Sequence, residues 1–496
     1  MVVEAKDRRG AVEAERAPSS RYPWVAMGVV LIGTYMVILD TTIVNVALPQ
    51  IGIDLGSRNG IDWIVTAYLL AVGVAQPATG WLADRIGRKQ VFTVSLAVFA
   101  VGSLLVALSP NLTVMVAFRV VQGLGGGALM PVGMAMVYEL FPPDRRGTAM
   151  GIWGIAAMAA PAVGPPLGGY LVTAASWRWL FLINVPLGAI GLVAATRLLR
   201  DLGYRERRRF DATGLGLAGF GLVALLLSFS QANEWGWGSP GFLALTGAGL
   251  VALVAFASHE NRTDAPLIDI AMFRYATFSI TILIVWLLTV MQFARLVFIP
   301  LELETVRQMS ALKVGLLLSP GALGVAATMP IGGRMADRIG ARVPVLTGTA
   351  IMAVTMWFFA HLRLDTSLTT IVTLLVVQGM GTGLAMMPNT VAAMNALPSR
   401  FVAQASAVRS LNRQVAGSLG VAVLASVVAS RIGAVSAAGL DGLQQAQDAY
   451  NQVFLIGFWS ILGAMVLSVL LPGREATRRI QTERAAEHEQ IMATAD

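Results

Sequence analysis

The 496 residues are 56% hydrophobic and only 13% charged, with a mean hydropathy of +0.69. A water-soluble domain of this length could not bury so much apolar surface, so a chain that crosses a membrane many times is expected. The formal charge of +8 rests on 36 Lys and Arg strewn between apolar runs rather than gathered in one patch, which argues against a nucleic-acid partner. With no cysteine and three scattered histidines (His259, His361 and His488), neither thiol chemistry nor a metal site is expected.

Residues 1–21 mix acids and bases without an apolar core, the pattern of a solvated cytoplasmic tail rather than a signal peptide. A helix needs about 20 residues to cross roughly 30 Å of hydrocarbon. On that window, spans fall near 24–48, 62–82, 90–109, 112–138, 147–173, 179–199, 212–230, 241–258, 277–300, 312–333, 343–362, 369–393, 404–429 and 452–472. The fold class is therefore an all-α polytopic membrane protein of fourteen transmembrane helices, since period-2 barrel strands are absent. With both tails inside, 26 Lys and Arg fall in cytoplasmic segments and 5 in outer ones, which fixes the expected orientation in the plasma membrane.

The chain repeats itself. GWLADRIGRK (80–89) returns as GRMADRIGAR (333–342), and VVQGLG (120–125) returns as VVQGMG (376–381). Two copies of a six-helix unit explain the offsets, the first over 22–200 and the second over 261–472, with two inserted helices and their linker in 201–260. Residues 473–496 form a second cytoplasmic tail.

Several positions carry chemistry. Asp40 lies nine residues before Pro49, ~13 Å below the outer face. A charged carboxylate at that depth costs about 2.5–3.5 kcal/mol on an insertion scale and is a candidate for reversible protonation. Arg119 lies ~12 Å below the same face. Its counterpart in the second unit is Leu375, so the arginine does something the fold alone does not require. Arg119 is expected to modulate Asp40, directly or through Gln122 one turn deeper. In the decapeptide, Gly80 permits close backbone approach and Gly87 a tight turn. Asp84 sits where a carboxylate could meet the free N–H groups of a neighbouring helix, and Arg85, Arg88 and Lys89 supply inside charge. The second copy keeps Asp337, Arg338 and Gly340.

Arg409 and Arg413 share a helix face; they either pair with Glu139 or snorkel inward. Arg295, Glu302 and Glu304 are either outer-mouth charges that attract cations or solvated loop charges. Tyr35, Tyr68 and Trp153 either line a cavity between the halves or face lipid.

GWLADRIGRK resembles the signature loop of the major facilitator superfamily. LDTTIVNVALP (39–49), RVVQGLGGGA (119–128), GPPLGG (164–169) and SWRWLFLINVPLG (176–188) narrow the resemblance to its fourteen-helix drug:proton antiporter branch of multidrug exporters. The resemblance covers essentially the whole chain. It implies two six-helix halves working by alternating access, with the decapeptides as a conformational latch. Gly164, Pro165, Gly168 and Gly169 belong to a segment that marks antiporters. The expected activity is proton-coupled export of hydrophobic or cationic small molecules, such as drugs. Export of an endogenous lipid, peptide or metabolite is the alternative. An enzyme or sensor would need a polar catalytic cluster or a soluble domain, and the longest polar stretches are only the tails. No cofactor beyond the coupling proton is implied. The expected surroundings are lipid and small-molecule cargo, with a monomeric chain and the need for a periplasmic adaptor left open.

Overall fold

The computed structural model describes residues 21–56, 60–142, 145–200, 210–263, 266–398, 401–432, 440–477, 479 and 482. The expected N-terminal tail, most of the 201–211 linker and most of the C-terminal tail lie outside them. The described chain is a bundle of long helices: α1 (Tyr22–Asp54), α2 (Trp63–Ile86), α3 (Arg88–Ala107), α4 (Leu112–Leu140), α5 (Arg146–Ala174), α6 (Trp179–Leu198, broken at Ile183), α7 (Ala212–Trp235), α8 (Pro240–Glu260), α9 (Ala276–Thr305), α10 (Ala311–Ile339), α11 (Arg342–Phe359), α12 (Leu368–Asn395), α13 (Val402–Ile432) and α14 (Leu440–Ser468). Thirteen of these are long and apolar enough to cross a membrane, and α5, with 29 residues, completes the fourteen.

Local chemistry sets the helix ends. Asn111 Oδ1 accepts from Val114 N–H at 3.0 Å, and Ser367 Oγ accepts from Thr370 N–H at 3.2 Å, so equivalent helices α4 and α12 start on side-chain caps. Gly87 and Gly340 break α2 from α3 and α10 from α11 with φ of 94° and 84°, a region that L side chains enter only at a cost. The turn expected at Gly87 is thus written into both decapeptides.

Several boundaries differ from expectation, and three of them bear on named residues. Helix α1 runs on through Pro49 to Asp54, where Trp177 Nε1 donates to Asp54 Oδ2 at 3.0 Å. Helix α9 runs through Pro300 to Thr305, so Glu302 and Glu304 are helical rather than in a loop. Helix α14 starts at Leu440 because its polar first turns find partners: Tyr450 Oη meets Thr305 Oγ1 at 3.0 Å, and Asn451 Nδ2 donates to Leu362 O at 2.9 Å.

Buried apolar clusters organise the packing. One, around Leu39, Ile43, Trp177 and Phe181, holds α1 to α6. A second, around Met291, Met356, Phe359 and Phe454, lies within α9–α14. The largest draws on both units, with Val137, Tyr138 and Met150 from the first against Val391, Met394 and Phe401 from the second. The inserted pair packs closely on itself, where Gly221 faces Leu253 and Gly249 faces Ala224.

Candidate functional site

Asp40 is fully buried in α1, and Arg119 of α4 is 1% exposed. Arg119 Nη1 donates to Asp40 Oδ2 at 2.6 Å and to Gln122 Oε1 at 2.8 Å, while Nε donates to Ile64 O at 2.9 Å. Gln122 Nε2 donates to Asp40 Oδ1 at 2.9 Å and to Ser103 Oγ at 3.2 Å. Asn184 Nδ2 reaches the same Oδ1 at 3.4 Å and Ser103 Oγ at 3.0 Å, and Ser103 Oγ donates to Phe181 O at 2.9 Å. The guanidinium lies over the Tyr68 ring at 4.2 Å. The three groups that reach Asp40, from Arg119, Gln122 and Asn184, all donate to it, as a carboxylate requires of its partners. A buried ion pair is sustained by the hydrogen bonds that surround it, and here both Asp40 oxygens and Arg119 Nε and Nη1 are engaged.

The structure thus brings together Asp40, Arg119 and Gln122, both directly and through the glutamine. Tyr68 is corrected: it is 1% exposed and roofs Arg119 instead of lining a cavity. Tyr35 is half-buried and packs at the margin of the Leu39–Phe181 cluster. Ser103 and Asn184 escaped the sequence reading. Asn184 stood in SWRWLFLINVPLG as a lone amide in an apolar run, a signal that depth alone could have flagged.

The glycine segment of α5 packs on the helix that carries Asp40. A methyl group at Gly164 would strike Thr42 Oγ1, and one at Gly168 would meet Ile43 Cγ1 at 2.9 Å. Gly169 faces open space, so packing does not demand glycine there. The side chain of Pro165 lies outside the described residues.

The decapeptides sit where the two units meet. Asp337 Oδ1 and Oδ2 accept from Gly147 N–H at 2.9 Å and Thr148 N–H at 3.1 Å, placing a carboxylate on the free N–H groups that start α5. Gly147 lies against Gly333, Gly151 against Pro330, where a methyl group would come within 2.7 Å of Pro330 Cα, and Gly154 against Met329. In the first copy, a methyl group at Gly80 would come within 3.2 Å of Gln404 Cα, and Asp84 is buried. Arg85 lies 5.3 Å from the Trp81 ring, and Lys89 Nζ donates to Thr196 O at 2.9 Å. Arg338 is exposed, while Arg342 Nε donates to Leu471 O at 2.7 Å. Tyr138 Oη adds a further bond between the units, donating to Asn395 Oδ1 at 2.5 Å.

Glu139 does not pair with Arg409 or Arg413; it forms an ion pair with Arg88, since both sit at the decapeptide end. Arg409 Nη2 instead donates to Thr390 Oγ1 at 2.8 Å. Arg409 and Arg413 line a cavity with about 600 Å³ of atom-free space, its mouth included. Its walls come from both units and include Met130, Met134, Trp153 and Asn389, so Trp153 does face a cavity. The outer-mouth reading of residues 295–304 is corrected. Glu302 is fully buried and accepts from Arg307 Nε at 3.0 Å, Glu304 is half-buried on α9, and Arg295 lies ten residues inside the end of that helix.

A bundle of fourteen long helices in two six-helix halves, with a buried ion pair in one half and a cavity between them, describes a membrane transporter. Residues 30–421 match the family model of the Major Facilitator Superfamily, and the chain belongs to that family. It is 33% identical to the tetracenomycin C resistance and export protein of Streptomyces glaucescens, over 88% of this chain and 81% of that one. It is 32% identical to a multidrug resistance protein B homolog of Mycobacterium tuberculosis, covering 91% and 90%. The proton:xylose symporter XylE shares the fold, with a TM-score of 0.63 at 14% identity over 93% of this chain and 99% of that one. The chain is an efflux transporter of the superfamily's drug-exporter branch.

Proposed function

We propose that this chain is a proton-coupled antiporter of the plasma membrane that exports amphipathic small molecules, drugs among them, by alternating access. The observation that carries the reading is the buried Asp40–Arg119–Gln122 cluster, an ionisable group held in membrane depth by donors alone. Protonating Asp40 removes the charge that Arg119 and Gln122 hold, so the cluster has a different stable arrangement in each protonation state. Helix α1 touches α5 at Thr42 and Ile43, and the far end of α5 meets α10 at Gly147 and Gly151. A shift at Asp40 therefore has a packed route to the contact between the halves. In this reading the decapeptide end is cytoplasmic and closed, and Asp337 on the start of α5 is part of the latch.

The experiment is transport of a fluorescent dye into proteoliposomes, with and without an imposed pH gradient, for wild type and Asp40→Asn. The proposal expects gradient-driven accumulation by the wild type that the variant loses. Accumulation indifferent to the gradient in both would refute antiport.

A further inference from the structure

Arg295, Arg409 and Arg413 lie well inside membrane-length helices of the second half, away from the helix ends, without a carboxylate partner among the described residues. Arg409 is 8% exposed, and while Nη2 donates to Thr390, the buried Nη1 has no acceptor among the described residues. Arg413, one turn further along α13, lines the same cavity. Arg295 follows Leu288, a residue of the cavity wall, by seven positions on α9 and so shares its face two turns on. The carboxylate seven positions beyond it, Glu302, is already engaged by Arg307. No acid among the described residues lines the cavity.

Arg119, by contrast, is neutralised by a carboxylate, with Nη1 on Asp40 Oδ2 and Gln122 Oε1 and Nε on Ile64 O. A buried cation with an empty donor facing a cavity is costly unless something negative enters. The planar fork of arginine suits a carboxylate, sulfonate or phosphate, and two of them on one face suit an acid better than a neutral molecule. Met130, Met134 and Trp153 supply adaptable walls for an apolar body.

We propose that this cavity binds an amphipathic organic anion, its acidic group taken by Arg409 and Arg413 and its apolar body by Met130, Met134 and Trp153. The proposal deepens the exporter reading by naming the class of molecule carried, and rests on that reading only for the direction of travel. Cations of similar size are disfavoured by the same two charges. The acid is either a free aromatic acid or the headgroup of an anionic lipid, which share this chemistry.

The test is equilibrium binding to the purified full chain in a neutral detergent, read by fluorescence anisotropy. Carboxyfluorescein and rhodamine 6G, xanthenes of opposite charge, serve as probes. The wild type should prefer carboxyfluorescein, Arg413→Gln should weaken that binding at least tenfold, and Arg413→Lys should restore part of it. Arg413→Glu should reverse the preference, a gain that no misfolded variant can show. A wild type that binds neither dye or prefers rhodamine 6G overturns the proposal, as does an Arg413→Glu variant with unchanged preference. Competition by dioctanoylphosphatidylglycerol assigns a lipid headgroup, and competition by an aryl carboxylate alone assigns a free acid; competition by neither overturns the site. Binding is read without a gradient, so it survives a failure of proton coupling. Gradient-driven export of rhodamine 6G that ignores Arg413→Glu would keep the exporter and remove the anion site.

Discussion

Gln122 and Gln378 hold equivalent places in the two halves, 256 positions apart, in opposite chemical surroundings. Gln122 Nε2 donates to Asp40 Oδ1 and Ser103 Oγ, whereas Gln378 Nε2 faces the sulfurs of Met291 and Met356 at 3.3 and 3.4 Å. Gln378 Oε1 is buried without a partner. The repeat has kept the glutamine and surrounded it with thioethers and Leu375 in one half, and with an ion pair in the other.

This contrast predicts unequal substitutions. Gln378→Met removes an amide whose oxygen is unsatisfied, so it should leave thermal stability within about 1 kcal/mol and transport near wild type. Gln122→Met strips Asp40 and Arg119 of a shared partner and should destabilise by about 1–3 kcal/mol while lowering gradient-driven transport at least tenfold. Melting in detergent and proteoliposome transport, measured on both variants, check the pair.

Arg119→Leu installs the residue of the other half and leaves Asp40 buried without its cation. A loss of about 3–5 kcal/mol is expected from breaking a buried pair by one partner. Combining it with Asp40→Asn should recover much of that stability and none of the coupling. A double-mutant cycle by thermal melting measures the interaction directly.

At the contact between halves, Gly147→Val would drive its side chain into Gly333 and the Asp337 carboxylate. Asp337→Ala would unbind the start of α5, at about 1–2 kcal/mol by analogy with a lost helix cap. Both should open the decapeptide end. The chain has no cysteine, so a Tyr138→Cys/Asn395→Cys pair can report the contact. Crosslinking by a short bifunctional thiol reagent, which spans the space left by the tyrosine ring, should be efficient in the parent and fall several-fold when either change is added.

Glu302 and Arg307 should behave as structure, not as a cation trap. Arg307 Nη1 and Nη2 also donate to Thr366 O at 2.8 Å and Arg363 O at 3.0 Å, tying α9 to the start of α12. Arg307→Met should cost about 3–5 kcal/mol because Glu302 stays buried. Glu302→Gln should be milder and leave binding of rhodamine 6G unchanged in the dye assay.

Helix count, the repeats and the nearness of Asp40 to Arg119 were legible because depth follows from counting residues along a helix. The Gly87 turn was legible because a glycine between charged residues at a span's end has few other uses. Partners across helices were not. Glu139 took Arg88 rather than Arg409, and Tyr68 stacked on Arg119, because rotation about each helix axis is set by tertiary packing. The burial of Glu302 was hidden because Pro300 reads as a helix stop, yet α9 continues through it and brings the carboxylate to Arg307.

The central claim is that Asp40 couples a proton to cargo without building the cargo site. Counterflow exchange and gradient-driven accumulation of the same dye, measured side by side on Asp40→Asn proteoliposomes, test it most directly. The account predicts exchange close to wild type with accumulation reduced at least tenfold. Full gradient-driven accumulation by Asp40→Asn would contradict it.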